Sequence, residues 1–304
     1  MRVVVAGATG VIGRCLVPRL SAAGHEVTGL SRAAGVDLLD RNAVIRLVAE
    51  ARPDAAVHMA TAIPARINPK TMARDFELTN RLRTDGTRNL IEAARGAGVK
   101  RIIVQGLGYA YQPGDGLADE DAPLWRDPPR EFATSLRALV ELERLTAEAG
   151  GLVLRIGHLY GPGSAYAADG SFTAQVRARR LPVVGSGGSV FSFIHAADAA
   201  DAVVAALQRE VSGVLNIADD TPVPIGEWLP AFAAMLGAPA PRHVPAALAR
   251  LAGGGWGVAF MTRLRGASNA RARAQLGWRP RYPGWSDGFE AEYDRDPAAS
   301  PGLS

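Results

Sequence analysis

The chain has 304 residues, of which 48% are hydrophobic and 21% charged, a balance typical of a globular protein with a substantial core. Its net charge of +4 comes from arginines spread along the chain, and the clusters at 177–180 and 271–273 lack interleaved aromatic residues, so we expect no nucleic-acid partner. The single cysteine, Cys15, permits no intramolecular disulfide and argues against a cysteine-based metal site, so we predict no metal.

Strands and helices alternate through the first half of the chain, which predicts parallel βαβ units. Short β-branched runs predict strands at Met1–Ala6, His25–Leu30, Asp54–His58, Arg101–Val104 and Leu152–Ile156. Helical spacing of apolar residues predicts helices at Val11–Ala23, Arg41–Ala51, Thr71–Gly96 and Arg130–Ala149.

The pattern changes after Pro162. Glycines predict loops at 160–163 and 185–188, followed by a helix at Ala196–Leu207 and a late strand at Val214–Ile217. From Ile225 onward mainly helices are expected, broken at Pro239, Pro241, Gly253–Gly255 and Pro280. We therefore predict an α/β protein with a Rossmann-type doubly wound parallel sheet and a smaller, mostly helical C-terminal substrate region. The domain ranges are 1–163 with 189–218 returning to it, 164–188 with 219–293 as the substrate region, and a loose tail at 294–304.

A glycine-rich loop lies between the first strand and the first helix. Gly7 permits a tight turn, Gly10 lets the backbone approach a pyrophosphate, and Gly13 lets the helix pack closely. A pyrophosphate at this position would meet free N–H groups at the helix N-terminus. The loop predicts a dinucleotide-binding site.

The second strand ends without the acidic residue that usually accepts a hydrogen bond from the ribose of NAD. Ser31 and Arg32 occupy that place, and a guanidinium suits a 2′-phosphate. Arg14 is a candidate second cation. These residues favour NADP(H), with NAD(H) as the alternative.

Several motifs resemble those of the extended short-chain dehydrogenase/reductase family, in its NAD(P)-dependent epimerase/dehydratase group. The resemblance covers about residues 1–290 and rests on the following segments: GATGVIG at 7–13, Val36-Asp37-Leu38, His58-Met59-Ala60-Thr61, Thr79-Asn80 with 86–90, Leu154-Arg155 with 160–163, and Phe193-Ile194-His195 with Asp198. It implies that Asp37 and Leu38 meet the adenine, that 60–62 run beside the phosphates and ribose, and that 193–198 tie the substrate region to the core. The expected cofactor-binding residues are Gly7, Thr9, Gly10, Val11, Ile12, Gly13, Ser31, Arg32, Asp37, Leu38, Ala60, Thr61, Ala62, Gln105 and Leu136.

The chain departs from this family at the acid/base positions. Members that transfer hydride use a Ser after the fourth strand and a Tyr with a Lys four residues later. The corresponding positions here hold Leu107, Phe132 and Leu136, and shifting the helix by one residue gives Ala133 and Arg137. Either this helix face is an ordinary apolar face, buried in the core or in a dimer interface, or proton transfer has moved to other residues, and both can hold.

His158 is the leading candidate for relocated proton transfer because imidazole titrates near neutral pH and this segment contacts the nicotinamide in relatives. Tyr109, Tyr111, Thr134 and Ser135 are further candidates, each weighed against a structural role. We expect His195 to be structural and His58 to end a strand beside the cofactor.

The substrate pocket is expected to be apolar. Relatives that act on nucleotide sugars usually carry Arg-Asp where Phe191 and Ser192 stand here, which argues against a phosphorylated substrate and favours a neutral, apolar or aromatic molecule from specialised metabolism. Trp256 and Phe260 are possible lining residues. The predicted substrate residues are Leu107, Trp125, Phe132, His158, Tyr166 and Phe191.

Three functions remain open on this evidence. The first is an NADP(H)-dependent oxidoreductase with relocated proton transfer. The second is a non-redox isomerase, dehydratase or cyclase, and the third an inactive dinucleotide-sensing regulator. The helices at 71–96 and 130–149 suggest a possible homodimer. No signal peptide or membrane-spanning run is evident, so we expect a cytoplasmic protein that acts on a small molecule and has no membrane partner.

Overall fold

The computed structural model describes residues 1–64, 67–68 and 71–294. Its central sheet has six strands: β1 Arg2–Ala6, β2 Glu26–Leu30, β3 Ala55–His58, β4 Arg101–Leu107, β5 Leu152–Ile156 and β10 Gly213–Ile217. They lie in the order β10-β5-β4-β3-β1-β2, and every neighbouring pair is parallel. The predicted α/β class and Rossmann-type sheet are confirmed.

Helices cover both faces of this sheet. The α-helices of the described residues are α1 Val11–Ala22, α2 Arg41–Ala51, α3 Met72–Asp75, α4 Glu77–Arg81, α5 Thr87–Gly96, α6 Arg130–Glu148, α7 Ser171–Arg177, α8 Ala196–Leu207, α9 Ile225–Met235, α10 Ala246–Thr262, α11 Ala270–Leu276 and α12 Trp285–Asp294. Those that pack against strands of the central sheet are α1, α2, α5, α6, α8 and α11. Val3 and Val5 pack with α1 and α8, while Val4 and Ala6 pack on the other side with α2 and α5. This burial on both faces explains why β1 is apolar throughout.

The prediction of one continuous helix over Thr71–Gly96 was wrong. The backbone leaves helical geometry at Phe76, and a π-helical turn occupies Leu82–Gly86 between α4 and α5. This turn packs against α6. A π turn holds one extra residue, so it can turn two consecutive side chains inward, and both Leu82 and Arg83 are buried here.

The later part of the chain adds helices and three small two-stranded sheets. The additional strands are β6 His158–Tyr160, β7 Val183–Val184, β8 Val190–Phe191, β9 Phe193–His195, β11 Val223–Pro224 and β12 His243–Val244. The sequence analysis predicted none of these segments as strands, although β9 coincides with the Phe193-Ile194-His195 motif. The break expected at 253–255 is a kink in α10, where Gly254 has a φ of 69°.

Two contacts tie this later part to the sheet domain. The Asp198 carboxylate accepts hydrogen bonds from the backbone N–H groups of Arg281 (3.0 Å) and Tyr282 (3.2 Å). The His195 ring accepts from the Ala197 N–H through Nδ1 and lies 3.1 Å from Glu292 through Nε2. His195 therefore caps α8, in keeping with its expected structural role. The domain division itself stays a prediction, and residues 295–304 of the predicted tail lie outside the described residues.

Candidate functional site

The loop after β1 has the shape that a dinucleotide pyrophosphate requires. Gly7 has a φ of 85°, and a Cβ there would lie 2.6 Å from the Ala60 nitrogen. A Cβ at Gly13 would lie 2.1 Å from the Gly7 carbonyl oxygen, so only glycine at this position lets α1 approach the loop. Gly10 is the residue before α1 and provides no side-chain cap, which leaves the first N–H groups of the helix available to an anion.

A cleft of about 160 Å³ opens beside this loop, at the carboxyl ends of β1, β2 and β3. The sheet order reverses between β1 and β3, and such a switch point is where open α/β sheets bind ligands. The predicted residues that line the cleft are Gly7, Thr9, Gly10, Ser31, Arg32, Asp37, Leu38, Ala60 and Thr61. Besides the predicted Leu38, the apolar lining consists of Leu30, Val36, Met59, Leu78 and Leu82, none of which was predicted to bind the cofactor.

The remaining predicted cofactor residues lie beside the cleft rather than in its lining. Val11, Ile12 and Gly13 form the first turn of α1, and the Ala62 N–H donates to Thr79 Oγ1 at 3.1 Å. Gln105 is in β4, and Leu136 is buried in α6 with Phe132.

The end of the cleft at the carboxyl terminus of β2 carries an exposed cation. Ser31 starts a 3₁₀ turn, and its hydroxyl accepts from the Ala34 N–H at 3.2 Å. Arg32 is exposed in that turn and forms no ion pair with a residue of the described ranges. Arg14, the suggested second cation, instead lies against Gly163 in the loop after β6 and is not part of the cleft lining.

His58 connects the cofactor cleft to the π-helical turn. Its Nδ1 accepts from the Ala60 N–H (3.2 Å), so Nε2 carries the proton and donates to the Leu82 carbonyl (3.1 Å). Burial lowers the pKa of His58 to about 4, so the ring is neutral. His58 ends β3, as expected, and its position beside a bound cofactor stays a prediction.

Six rings pack against one another in one connected cluster, and four of them are buried; we call it the aromatic wall (Tyr109, Phe132, His158, Phe191, Trp256 and Phe260). Phe132 stacks on Trp256 at 4.2 Å, and Phe260 lies 5.9 Å from Trp256 and 5.2 Å from Phe191. His158 meets the edge of Phe191 at 3.9 Å and stacks on Tyr109 at 4.3 Å, all between ring centroids.

A hydrogen bond between a side chain and the backbone holds the Phe132 end of the wall. The Glu131 carboxylate accepts from the Gly255 N–H at 3.1 Å, which joins the start of α6 to the kink of α10. A Cβ at Gly254 would lie 2.7 Å from the same carboxylate. The kink therefore brings Trp256 over Phe132. Leu107 ends β4 and Leu136 lies one turn beyond Phe132, both packed with this cluster.

His158 is held as a neutral ring. Its Nδ1 lies 3.3 Å from the Ser192 carbonyl oxygen, which can only accept, so Nδ1 carries the proton. Nε2 is buried and has no partner among the described residues. Burial lowers the pKa of His158 to about 3. Burial also raises the pKa of the Tyr109 hydroxyl, which is therefore neutral as well.

The other acid/base candidates do not join His158 and Tyr109. The Tyr111 hydroxyl donates to Asn216 Oδ1 (2.6 Å) and accepts from Arg155 (2.8 Å), within a buried network that includes Glu143. Thr134 is exposed and accepts from Arg137 at 3.0 Å.

Three further predicted residues are buried. The Ser135 hydroxyl has no partner in the described part of the chain. Of the predicted substrate residues, Trp125 packs near Trp256, and Tyr166 lies in the core with Phe193 and Trp228.

Comparison with known proteins gives a consistent set of relatives. The model of the NAD dependent epimerase/dehydratase family matches residues 3–218. A Streptomyces sp. protein named 3-diazoavenalumate denitrifying reductase is 47% identical over 306 residues, covering 96% of this chain and 100% of the relative.

Two solved structures carry the same fold with a nicotinamide dinucleotide. Human epimerase family protein SDR39U1 with NADPH has a TM-score of 0.77 at 26% identity, covering 97% of this chain and 100% of that one. The UDP-glucose 4-epimerase of Thermus thermophilus with NAD has a TM-score of 0.72 at 27% identity, covering 97% and 98%. In the described residues, no helix combines the length and apolarity needed to cross a membrane.

Proposed function

Because the chain belongs to the NAD-dependent epimerase/dehydratase family, we propose that it is an NADPH-dependent reductase that replaces the nitrogen of an aromatic diazo compound with hydrogen. The family and the fit of the glycine loop support a nicotinamide dinucleotide as the cofactor. The name of the Streptomyces relative, which describes a reductase that removes nitrogen from a diazo carboxylate, supports the reaction class.

The proposal rests on the sequence alignment that assigns Leu107, Phe132 and Leu136, none of which can donate a proton, to the three acid/base positions of the family. Reduction of a carbonyl requires a proton at the oxygen, which the Tyr of the usual triad supplies. Phe132, Leu136 and Leu107 have no ionisable group, and the neighbouring His158 is neutral with its only proton held by Ser192. A reaction that needs no proton at the reacting centre suits this environment.

Loss of nitrogen from a diazonium carbon is such a reaction. A nicotinamide bound at the glycine loop would supply a hydride. In the proposed replacement, a C–H bond forms with the hydride's electron pair as the C–N bond breaks, and N₂ leaves with the electron pair of that bond. No proton is taken up. The protein's part is to orient the substrate ring against Phe132, Trp256 and Phe260 and to keep water away from the reacting carbon. The sequence-based prediction that another residue acts as the proton donor has no support from this geometry. Its candidates are His158, Tyr109, Tyr111, Thr134 and Ser135.

The preference for NADPH rests on the adenosine end of the cleft. Arg32 is exposed there with no ion pair in the described ranges, and no carboxylate stands directly at the end of β2. Asp37 lies further along the cleft, where its carboxylate accepts from the Leu39 N–H at 2.9 Å. A 2′-phosphate would give Arg32 the anionic partner it lacks.

The test uses the purified protein with 3-diazoavenalumate and NADPH carrying deuterium at the transferable position. We expect loss of nicotinamide absorbance, one N₂ per NADPH oxidised, and deuterium at the carbon that carried the nitrogen. N₂ release at an equal rate with NADPH, NADP⁺ or no cofactor would instead favour the non-redox catalyst. No reaction, together with a partner protein whose affinity differs between NADP⁺ and NADPH, would favour the regulator.

A further inference from the structure

Arg83 is a buried cation in the π-helical turn, and nothing in the reaction described so far uses it. It is 7% exposed. Its neighbour Leu82 lines the cofactor cleft and accepts the His58 hydrogen bond, so Arg83 is placed beside the cleft by the same turn. π turns within α-helices occur frequently at functional sites because the extra residue redirects a side chain.

The Arg83 guanidinium has no partner within the described ranges. It forms no hydrogen bond and no ion pair there, unlike the other well-buried arginine, Arg155, which pairs with Glu143 at 2.8 Å. Burial lowers the pKa of Arg83 to about 10, which still leaves it charged at neutral pH. An unpaired buried charge destabilises a fold, so its presence calls for a ligand that neutralises it.

The surroundings of Arg83 indicate where that ligand lies. The ionisable groups close enough for its charge to act on are His58, at the cofactor cleft, and Tyr109, in the aromatic wall. The Tyr109 hydroxyl also has no hydrogen bond to a described residue, and it is a donor. The unpaired Arg83 guanidinium therefore lies within electrostatic reach both of His58, beside the cofactor cleft, and of Tyr109, one of the rings proposed to hold the substrate.

The cofactor's own charges are bound elsewhere. Its pyrophosphate belongs at the glycine loop and the N-terminus of α1, and its 2′-phosphate at Arg32. The nicotinamide riboside end carries no anion. The anion that neutralises Arg83 must then come from the second reactant.

We infer that Arg83, with the Tyr109 hydroxyl, binds a carboxylate of the substrate, so that the pocket takes an aromatic acid rather than a neutral molecule. This inference rests on the proposed function and defines its substrate class. It revises the expectation of a neutral substrate, which considered only the replacement of a cation by Phe191. The carboxylate anchors the substrate at Arg83 while its ring lies along the aromatic wall, which fixes the distance from the acid group to the reacting carbon.

Binding of avenalumate, the unreactive compound that remains after nitrogen is lost, tests this without turnover. Calorimetric titration in the presence of NADP⁺ compares the acid with its methyl ester, which lacks the charge. For the wild type we expect the acid to bind about ten- to a hundredfold more tightly than the ester. Arg83→Met should abolish that preference by weakening the acid alone, and Arg83→Lys should retain part of it.

The matched control is Arg81→Met, an exposed arginine two residues earlier, which should keep the full preference. Because Arg83→Met removes an unpaired buried charge, we expect the Tm of the ligand-free protein to rise by about 2–4 °C. A structural role for Arg83 would lower it.

Equal affinity of the wild type for acid and ester would overturn the inference, as would an unchanged preference in Arg83→Met. These outcomes are independent of nitrogen release. A protein that binds the acid through Arg83 but oxidises no NADPH with the diazo compound refutes the proposed reaction and keeps the anion site.

Discussion

His158 should lower the stability of the folded protein at acid pH, and a single substitution at this residue tests that expectation. Its pKa falls from 6.5 in the unfolded chain to about 3 in the folded protein because of burial. A group whose folded pKa is depressed contributes stability above its unfolded pKa. That contribution is lost as the pH falls from 6.5 towards 3, because the unfolded chain binds a proton at this residue and the folded protein does not.

The loss of unfolding free energy at about pH 5 depends almost entirely on the pKa of the imidazole in the unfolded chain. The pKa of the unfolded imidazole is about 1.5 above that pH, and the folded pKa lies far below it. At about 1.36 kcal/mol for each pH unit, the free energy of unfolding should fall by about 2 kcal/mol between about pH 8 and pH 5 through this residue alone. His58 adds a loss of the same sign, whereas Asp219, whose pKa burial raises to about 8, acts in the opposite direction.

His158→Phe removes the titration and keeps a ring between Tyr109 and Phe191. Urea unfolding of both proteins at several pH values gives the difference in stability at each pH. Loss of the Ser192 hydrogen bond changes the free energy of unfolding of the variant by the same amount at every pH. The test is therefore how the difference between the two proteins changes with pH. The difference should change by about 2 kcal/mol in favour of the variant at the acid end.

His243→Phe is the matched control at an exposed position, and it should leave the pH dependence of the wild type in place. If the free energy of unfolding depends on pH in the same way in wild type and His158→Phe, the folded imidazole accepts a proton. That result would refute the conclusion that His158 is neutral in the folded protein. Turnover gives a second check. If His158 served as an acid or base, its removal would abolish a limb of the rate-against-pH profile, whereas we expect the same profile in both proteins.

Three further substitutions test the cofactor site and one acid/base candidate. Gly7→Ala forces a Cβ onto the Ala60 nitrogen at a positive φ, so we expect a loss of about 2–5 kcal/mol in unfolding experiments and no NADPH binding in a fluorescence titration. Arg32→Ala should weaken NADPH about ten- to a hundredfold and leave NADH unchanged; equal weakening of both would remove Arg32 from the 2′-phosphate. Tyr111→Phe should cost about 1–3 kcal/mol, since it breaks hydrogen bonds to Asn216 and Arg155, while turnover stays near the wild-type rate; a collapse of turnover in stable protein would make Tyr111 catalytic.

The dinucleotide half of the site was predictable because its requirements are local. Gly7, Gly10 and Gly13 act through backbone geometry within one turn, and that geometry follows from sequence spacing. The prediction of a nicotinamide dinucleotide site is confirmed at the level of the family and its solved structures. The apolar residues of the cleft, such as Leu78 and Leu82, were missed because periodicity cannot separate a side chain that faces a cleft from one that faces the core.

The substrate half was less predictable because its parts come from distant segments. Tyr109, Phe132, His158 and Trp256 meet only through the packing of α6 and α10 on the sheet. Arg83 was overlooked for a different reason. In a continuous helix over 71–96 it would be one of several surface arginines, and only the π-helical turn buries it.

The stacking of Phe132 on Trp256 also bears on which product forms. A diazonium carbon that loses nitrogen reacts with any nucleophile present, and water from the solvent would convert it to a phenol with release of a proton. In the reaction proposed above, rings packed face to face beside the substrate would leave little room for water and would so favour delivery of hydride to the carbon. Under the proposed reaction, the proportion of hydroxylated by-product would therefore measure how well the aromatic wall excludes water from the reacting carbon.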